Sequence, residues 1–341
     1  MKKGIYSSSI IFLFLGVGLF FQDKVCCDET IELKVSHFGA SDWVLQRDFL
    51  EPWTRNIEKL SNGRVKFTIY PDSQLGPAKE QYDLAVKGVT DIALGVQSYT
   101  PERFLLTSVM SLPFMSDSGE KASVVLWSLY NKYLEDEYKD VKVLALFCHG
   151  PGQLHTTKKQ VKTLEDLKGL KIRMANPFLG KVIERLGATA VICPVTEINE
   201  RLIKKELDGV VITWEAVSNF RFYECKYHTI VNMYTLPFFV VMNKEKYDSL
   251  PADIKKLIDE NSGKKMSVMA GMAMDNDDIR AKNAAAERGD LIYTLPEGEL
   301  QRWKKIAMPL GDEWVQDMKA KGLPAQETLV YVVDLFMRLQ E

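Results

Sequence analysis

Apolar residues recur along this chain with a period of two in short runs and with a helical period between those runs, so strands and helices alternate. Ile31, Leu33 and Val35 read as a strand ending at Ser36-His37-Phe38, and a helix is expected from near Asp42 to Leu60. Asn62-Gly63 turns the chain into a second strand through Val65, Phe67 and Ile69. Pro71-Asp72 and Gly76-Pro77 punctuate the loop before a helix of about Lys79 to Lys87, which Gly88 ends. Asp91 to Val96 is a third strand; Leu112-Pro113-Phe114 and a helix from Gly119 to Leu134 close a first α/β region. Val141 to Phe147 then runs as a strand into His149-Gly150-Pro151-Gly152, a turn-rich tract expected to carry the chain from one lobe to another.

The tract from Thr163 to Gly209 is the most informative. Thr163 and Asp166 have the spacing of a capping box, Gly169 suits a left-handed stop, and Lys171 to Met174 reads as a strand containing Arg173. The apolar positions 178, 179, 182, 183 and 186 share one helical face before Gly187. A guanidinium at a strand's C-terminal edge in such a unit points toward the crevice where open sheets bind ligands, and it offers a carboxylate two parallel hydrogen bonds. The competing reading is an ordinary surface charge.

Two segments share a local architecture: LAVKGVTDIALGV around Asp91 and LIKKELDGVVITW around Asp208, each a helix end, an aspartate and an apolar strand. Where the first has Gly88 the second has Lys205, which costs stability if a left-handed residue is required there. From Pro251 to about Glu287 the sequence reads as one long helix of about 35 residues, roughly 50 Å and long enough to lie across two lobes, with Gly263 and Gly271 as places for a bend or break.

Lys2 and Lys3 precede a mostly apolar run from Ile10 to Phe21, and Val25 and Cys27 stand at −3 and −1 of a cleavage site before Asp28, the outline of a secretory signal peptide. The run is shorter than the roughly 20 residues a spanning helix needs. Cys26 and Cys27 raise lipid attachment as the alternative, against which Asp23, Lys24 and Val25 speak. Cleavage removes three lysines and one aspartate and moves the net charge from −2 to −4, which gives nucleic acid nothing to bind. Cys148, Cys193 and Cys225 lack metal-site spacing and read as buried thiols, with one disulfide as the alternative. His155 reads as structural, and His37, His149 and His228 show no metal-triad spacing.

The pieces NGRVKFTIYPDSQLG, LAVKGVTDIALGV, LPF at 112–114, TLEDLKGLKIR, LGATAVICPVTEINERL, DGVVITWEAV and VVMNKEKYDSLP arrive in an order that resembles the solute-binding subunit of tripartite ATP-independent periplasmic (TRAP) transporters, the DctP family, over essentially the whole mature length. The resemblance implies a periplasmic-binding-protein-like α/β fold: two α/β lobes joined by hinge strands, with a long lobe-spanning helix, closing on a small organic acid. The expected division is a signal peptide over 1–27, a first lobe from 28–150 and 239–285, and a second from 151–238 and 286–341. It further implies a periplasmic location, a small and a large membrane subunit as partners, and in some relatives a helical-repeat partner protein.

Carried over residue by residue, Arg173 falls on the family's ligand arginine. A second arginine common in dicarboxylate and sialic-acid receptors is Gln153 here, and the usual side-chain amide near the end of the Asp208 strand is replaced by Thr213 and Trp214. A monocarboxylate with an apolar or aromatic body is the ligand this implies. Phe38, Trp43, Gln97, Tyr99, Glu215 and Phe238 are further candidates for the pocket, with core packing or an internal salt bridge as the bland alternative. No metal or cofactor is expected. An ABC-type or sensor-coupled binding protein would share the two lobes, and an enzyme is disfavoured because no GxSxG, HExxH, phosphate-loop or dinucleotide motif occurs.

Overall fold

Strands β1 (Ile31–Ser36), β2 (Val65–Tyr70), β3 (Ile92–Val96), β4 (Val141–Cys148) and the much later β10 (Pro237–Asn243) form one sheet in the order β2-β1-β3-β10-β4. A second sheet has the order β11-β9-β5-β8-β6-β7, built from β5 (Gln153–Thr156), β6 (Lys171–Met174), β7 (Thr189–Ile192), β8 (Gly209–Ile212), β9 (Tyr227–Ile230) and β11 (Leu291–Thr294). This computed structural model describes residue 1 and residues 30–339. The signal-peptide and lipidation readings, which rest on residues 2–27, lie outside the described residues.

In each sheet parallel neighbours from α/β units meet one antiparallel intruder: β10 between β3 and β4, and β5 between β8 and β9. Both intruders lie at the first two of the chain's changes of sheet. β4 passes through residues 149–152 into β5, and β9 passes through residues 231–236 into β10. The two crossings bond to each other, His149 N–H to Leu236 O (3.3 Å), Gly152 N–H to Tyr234 O (2.8 Å) and Met233 N–H to Gly152 O (2.9 Å). They form a two-stranded hinge tied together by these backbone hydrogen bonds.

A third crossing is the helix Lys264–Glu287, which packs on the helix Gly119–Leu129 and β4 on one side and on the helix Trp214–Asn219 on the other. The expected 35-residue helix is thus two: Ala252–Glu260 ends, Gly263 takes φ 74°, and the longer helix restarts at Lys264. Gly271 stays inside it. A Cβ there would sit 2.5 Å from Ser123 Oγ and 2.6 Å from Gly119 O, so glycine permits the close crossing with Gly119–Leu129.

One expected boundary needs correction. Of the segment 286–341 assigned to the second lobe, β11 joins the second sheet and the helix Glu297–Ala307 packs on Pro177–Arg185, but the helices Pro309–Ala320 and Ala325–Arg338 return to the first. Trp314, Val315, Met318, Ala325, Val332 and Phe336 bury themselves in one apolar cluster with Ala122, Val125, Leu126 and Leu129. An amphipathic stripe demands burial and does not say against which lobe.

The shared architecture around Asp91 and Asp208 has a physical basis. Asp91 Oδ2 accepts from Lys34 N–H (2.7 Å) and Asp208 Oδ2 from Lys171 N–H (2.9 Å), so each carboxylate secures a backbone donor of the neighbouring strand. Gly88 has φ 68° and Lys205 has φ 60°, the same left-handed turn in both. The substitution Lys205→Gly is expected to raise stability by about 0.5–1 kcal/mol, the strain of a β-carbon in that conformation less the entropy glycine adds to the unfolded chain. Urea unfolding checks it.

Candidate functional site

Arg173 occupies the third position of β6, paired with β7 on one side and β8 on the other. The sequence builds this strand as expected: Thr163 and Asp166 form a capping box, Gly169 turns the chain at φ 77°, and Asn176 caps the following helix by accepting from Leu179 N–H (2.9 Å). The residue is 1 % exposed. Its Nε donates to Cys193 O (2.9 Å), which fixes the side chain's direction, while Nη2 is buried without any hydrogen-bond partner. No carboxylate of the described residues pairs with it. A buried charge left in this state costs several kilocalories per mole.

Beside it lies a small cavity of about 30 Å³ where the two lobes meet. Phe38, Trp43, Val96 and Tyr99 close it from the first sheet's side, and Val195, Ile212, Thr213, Glu215, Ala216 and Phe220 from the second. His149, Leu236 and Phe238 enter from the hinge crossings and the start of β10. Phe38 and Trp43 stand 5.0 Å apart by ring centroid, and Trp43 and Phe220 5.9 Å. The lobes also bond across the gap: Tyr99 OH accepts from Val195 N–H (3.1 Å), and Asn219 Oδ1 accepts from Val44 N–H (3.2 Å). The arrangement is therefore closed.

Among the described residues lining the cavity, Arg173 and Glu215 are the charged types. Burial pushes the Glu215 carboxyl up to about 7, against the lowering effect of the Thr213 hydroxyl, which donates to Oε1 (2.8 Å). Trp43 Nε1 is buried near this carboxyl yet makes no hydrogen bond of ordinary geometry. His149 is held down to about 4 by burial, and its Nε2 has no partner.

The cavity gathers Arg173, Thr213, Phe38, Trp43, Tyr99, Glu215 and Phe238 from the sequence expectation and leaves three candidates out. Gln153 is saturated elsewhere: its amide N–H groups go to Pro151 O (2.9 Å) and Asn232 Oδ1 (2.6 Å), and its carbonyl accepts from Val231 N–H (2.8 Å) and Asn232 N–H (3.0 Å). It clasps the two hinge crossings and has nothing left for a ligand. Trp214 packs against His155 and His228, at 4.9 and 4.7 Å, with Ala281 and Ala285 of the long helix behind it. Gln97 lines a neighbouring cleft with Phe104 and Trp314 and donates to Tyr138 OH (3.0 Å). The lining residues Val96, Val195, Ile212, Leu236, His149, Ala216 and Phe220 are not among the expected candidates. The helical spacing 213, 216, 220 carried the signal for the last two, whereas His149 had been weighed only as a metal ligand.

His155 Nδ1 lies 2.7 Å from His228 Nδ1 and its Nε2 bonds to Ile212 O (3.1 Å), a buried structural pair. Cys148, Cys193 and Cys225 are free and buried.

Residues 35–317 match the family described as DctP, bacterial extracellular solute-binding protein, family 7. The chain is 35 % identical to a TRAP solute-binding protein from Rhodoferax ferrireducens T118 in complex with copurified benzoate, over 91 % of this chain and 98 % of that one, with a TM-score of 0.88. It is 34 % identical to a marine-metagenome TRAP solute-binding protein specific for aromatic acid ligands, in complex with 3-hydroxybenzoate, over 92 % of this chain and 100 % of that one (TM-score 0.89). A TRAP periplasmic solute-binding protein from Bordetella bronchiseptica with bound (R)- and (S)-mandelate is 28 % identical over 91 % and 99 % of the respective chains (TM-score 0.84).

Proposed function

The chain belongs to the DctP family of bacterial extracellular solute-binding proteins, and from that premise we propose that its solute is an aromatic monocarboxylate whose anionic end is held by Arg173. It is an extracytoplasmic receptor of a TRAP transporter, binds a small organic acid for the membrane subunits and is not an enzyme. The ABC-type and sensor-coupled alternatives are not favoured by this family match.

The single observation that supports the ligand assignment is a buried guanidinium whose Nη2 has no hydrogen-bond partner among the described residues, beside a cavity walled by Phe38, Trp43, Phe220 and Phe238. A carboxylate on Arg173 forms charge-assisted hydrogen bonds in a buried site, and a ring packs against the apolar walls. A dicarboxylate would bring its second charge against apolar walls and Glu215, with no second cation among the described lining residues. The benzoate, hydroxybenzoate and mandelate held by the three relatives agree with this ligand class.

In this reading the hinge at residues 149–152 and 231–236 bends, and the contacts Tyr99–Val195 and Val44–Asn219 form on closure. The ligand shifts the population toward the closed form because both lobes touch it only there. A signal peptide over residues 1–27 exports the protein to the periplasm. The first lobe, corrected for the returning helices and for the start of β10 at Pro237, comprises the described residues up to 150, 237–285 and 309–338; the helical-repeat partner stays an expectation of the resemblance, with no surface assigned to it. Calorimetric titration tests the ligand class. Benzoate is expected to bind at least roughly a hundredfold more tightly than succinate, the scale set by stranding a buried second charge. Equal or tighter binding of succinate would overturn the assignment.

A further inference from the structure

We propose that His149 reads a hydroxyl group on the ligand, so that the preferred solutes are hydroxylated aromatic acids in which Arg173 holds the carboxylate and His149 Nε2 accepts from the hydroxyl. The proposal rests on the aromatic-carboxylate reading above and adds a second polar contact to it.

The tautomer follows from one contact. His149 Nδ1 bonds to the carbonyl of Gly150, and a carbonyl can only accept, so the ring proton is on Nδ1. Nε2 then presents a bare lone pair. Burial keeps the ring neutral, with the nearby Arg173 charge acting in the same direction, so the lone pair survives at neutral pH. The side chain is 3 % exposed and Nε2 has no partner, although buried polar atoms are almost always paired. Edge contacts to Tyr234 (5.9 Å) and Phe238 (6.0 Å) hold the ring in place on the cavity wall.

Because His149 lines the cavity, a ligand seated there can supply the missing donor, and its chemistry is restricted. An ammonium group is disfavoured beside the Arg173 guanidinium. An unsubstituted ring or a methyl group has no strong donor. A hydroxyl is small, neutral and able both to donate and to accept, which suits a wall that also carries the unpaired donor Trp43 Nε1.

Calorimetry with benzoate and its 2-, 3- and 4-hydroxy isomers, on the wild type, His149→Phe and His149→Gln, tests the inference. At least one isomer is expected to bind the wild type about tenfold or more tightly than benzoate, as for a buried acceptor that gains its donor. His149→Phe should erase that advantage, bringing the ratio of hydroxybenzoate to benzoate affinity to about one, and His149→Gln, which offers an amide oxygen, should restore part of the ratio. Should the variants not fold, ¹⁵N spectra of the wild-type histidines give the answer: Nε2 of His149 should shift when the favoured hydroxybenzoate replaces benzoate. Benzoate binding with no gain from any hydroxyl, a gain that persists in His149→Phe, or an unmoved Nε2 signal overturns the role of His149 alone. If neither benzoate nor any hydroxybenzoate binds the wild type, the aromatic-carboxylate reading has failed and His149 falls with it.

Discussion

Replacing Arg173 with alanine is expected to weaken binding of an aromatic carboxylate by about a hundredfold or more, because the variant leaves the ligand's charge desolvated without a partner. Arg173→Lys should recover a fraction of that loss. An ammonium restores the charge but not the planar fork, and Nε of the arginine is what bonds to Cys193 O and aims the group. The ligand-free protein should respond differently. Arg173 is 1 % exposed and Nη2 lacks a partner, so Arg173→Met, which fills similar volume without charge, should leave the thermal midpoint of the ligand-free protein unchanged or raised. Affinity lost while stability is kept separates a ligand-binding group from a structural one; calorimetry and thermal unfolding of the same samples measure both.

The second large effect concerns Glu215. Its carboxyl is pushed up to about 7 by burial, with the charge of Asp277 adding to the shift. The folded state therefore holds a proton that the unfolded chain releases near the ordinary carboxyl value. Stability from this group is complete below about pH 4.5, falls as pH rises toward 7, and is flat above, a total of roughly 3 kcal/mol at the full shift. Glu215→Gln keeps an oxygen for the Thr213 hydroxyl and removes the titration. The variant should match the wild type near pH 4.5 and exceed its stability above pH 7 by up to about 3 kcal/mol. The difference between the two proteins is the readout, since His37, His149 and His228, all held down to about 4 by burial, lose stability as pH falls from 6.5 and slope the opposite way. Asp278, whose N–H-bonded carboxylate faces the same helix end, is pushed upward by burial and by the Glu215 charge, so part of the slope should survive in the variant. Urea midpoints from pH 4.5 to 8 settle it.

The sequence made the strand-helix order, the hinge at 149–152 and the position of Arg173 legible because each depends on local chemistry: alternating residues, caps and left-handed glycines. Side-chain direction within a turn was harder. Trp214 begins a helix and turns toward His155 and His228, whereas Ala216 and Phe220 follow the Thr213 face into the cavity. Gln153 was read through an equivalent charged position, yet its neighbours are backbone groups of the other crossing, which lie nearly eighty residues away and leave no local trace. The return of Pro309–Ala320 and Ala325–Arg338 to the first lobe was illegible for the same reason. His149 failed through the question asked of it: as a metal ligand it had no companions, and as a lone acceptor beside a cavity it needs none.

A crystal structure of the protein grown with benzoate tests the central assignment most directly. The carboxylate is expected within hydrogen-bonding distance of Arg173 Nη2, with the ring between Phe38, Trp43, Phe220 and Phe238. A benzoate seated away from Arg173, or an Arg173 cavity that stays without ligand at saturating benzoate, would contradict it.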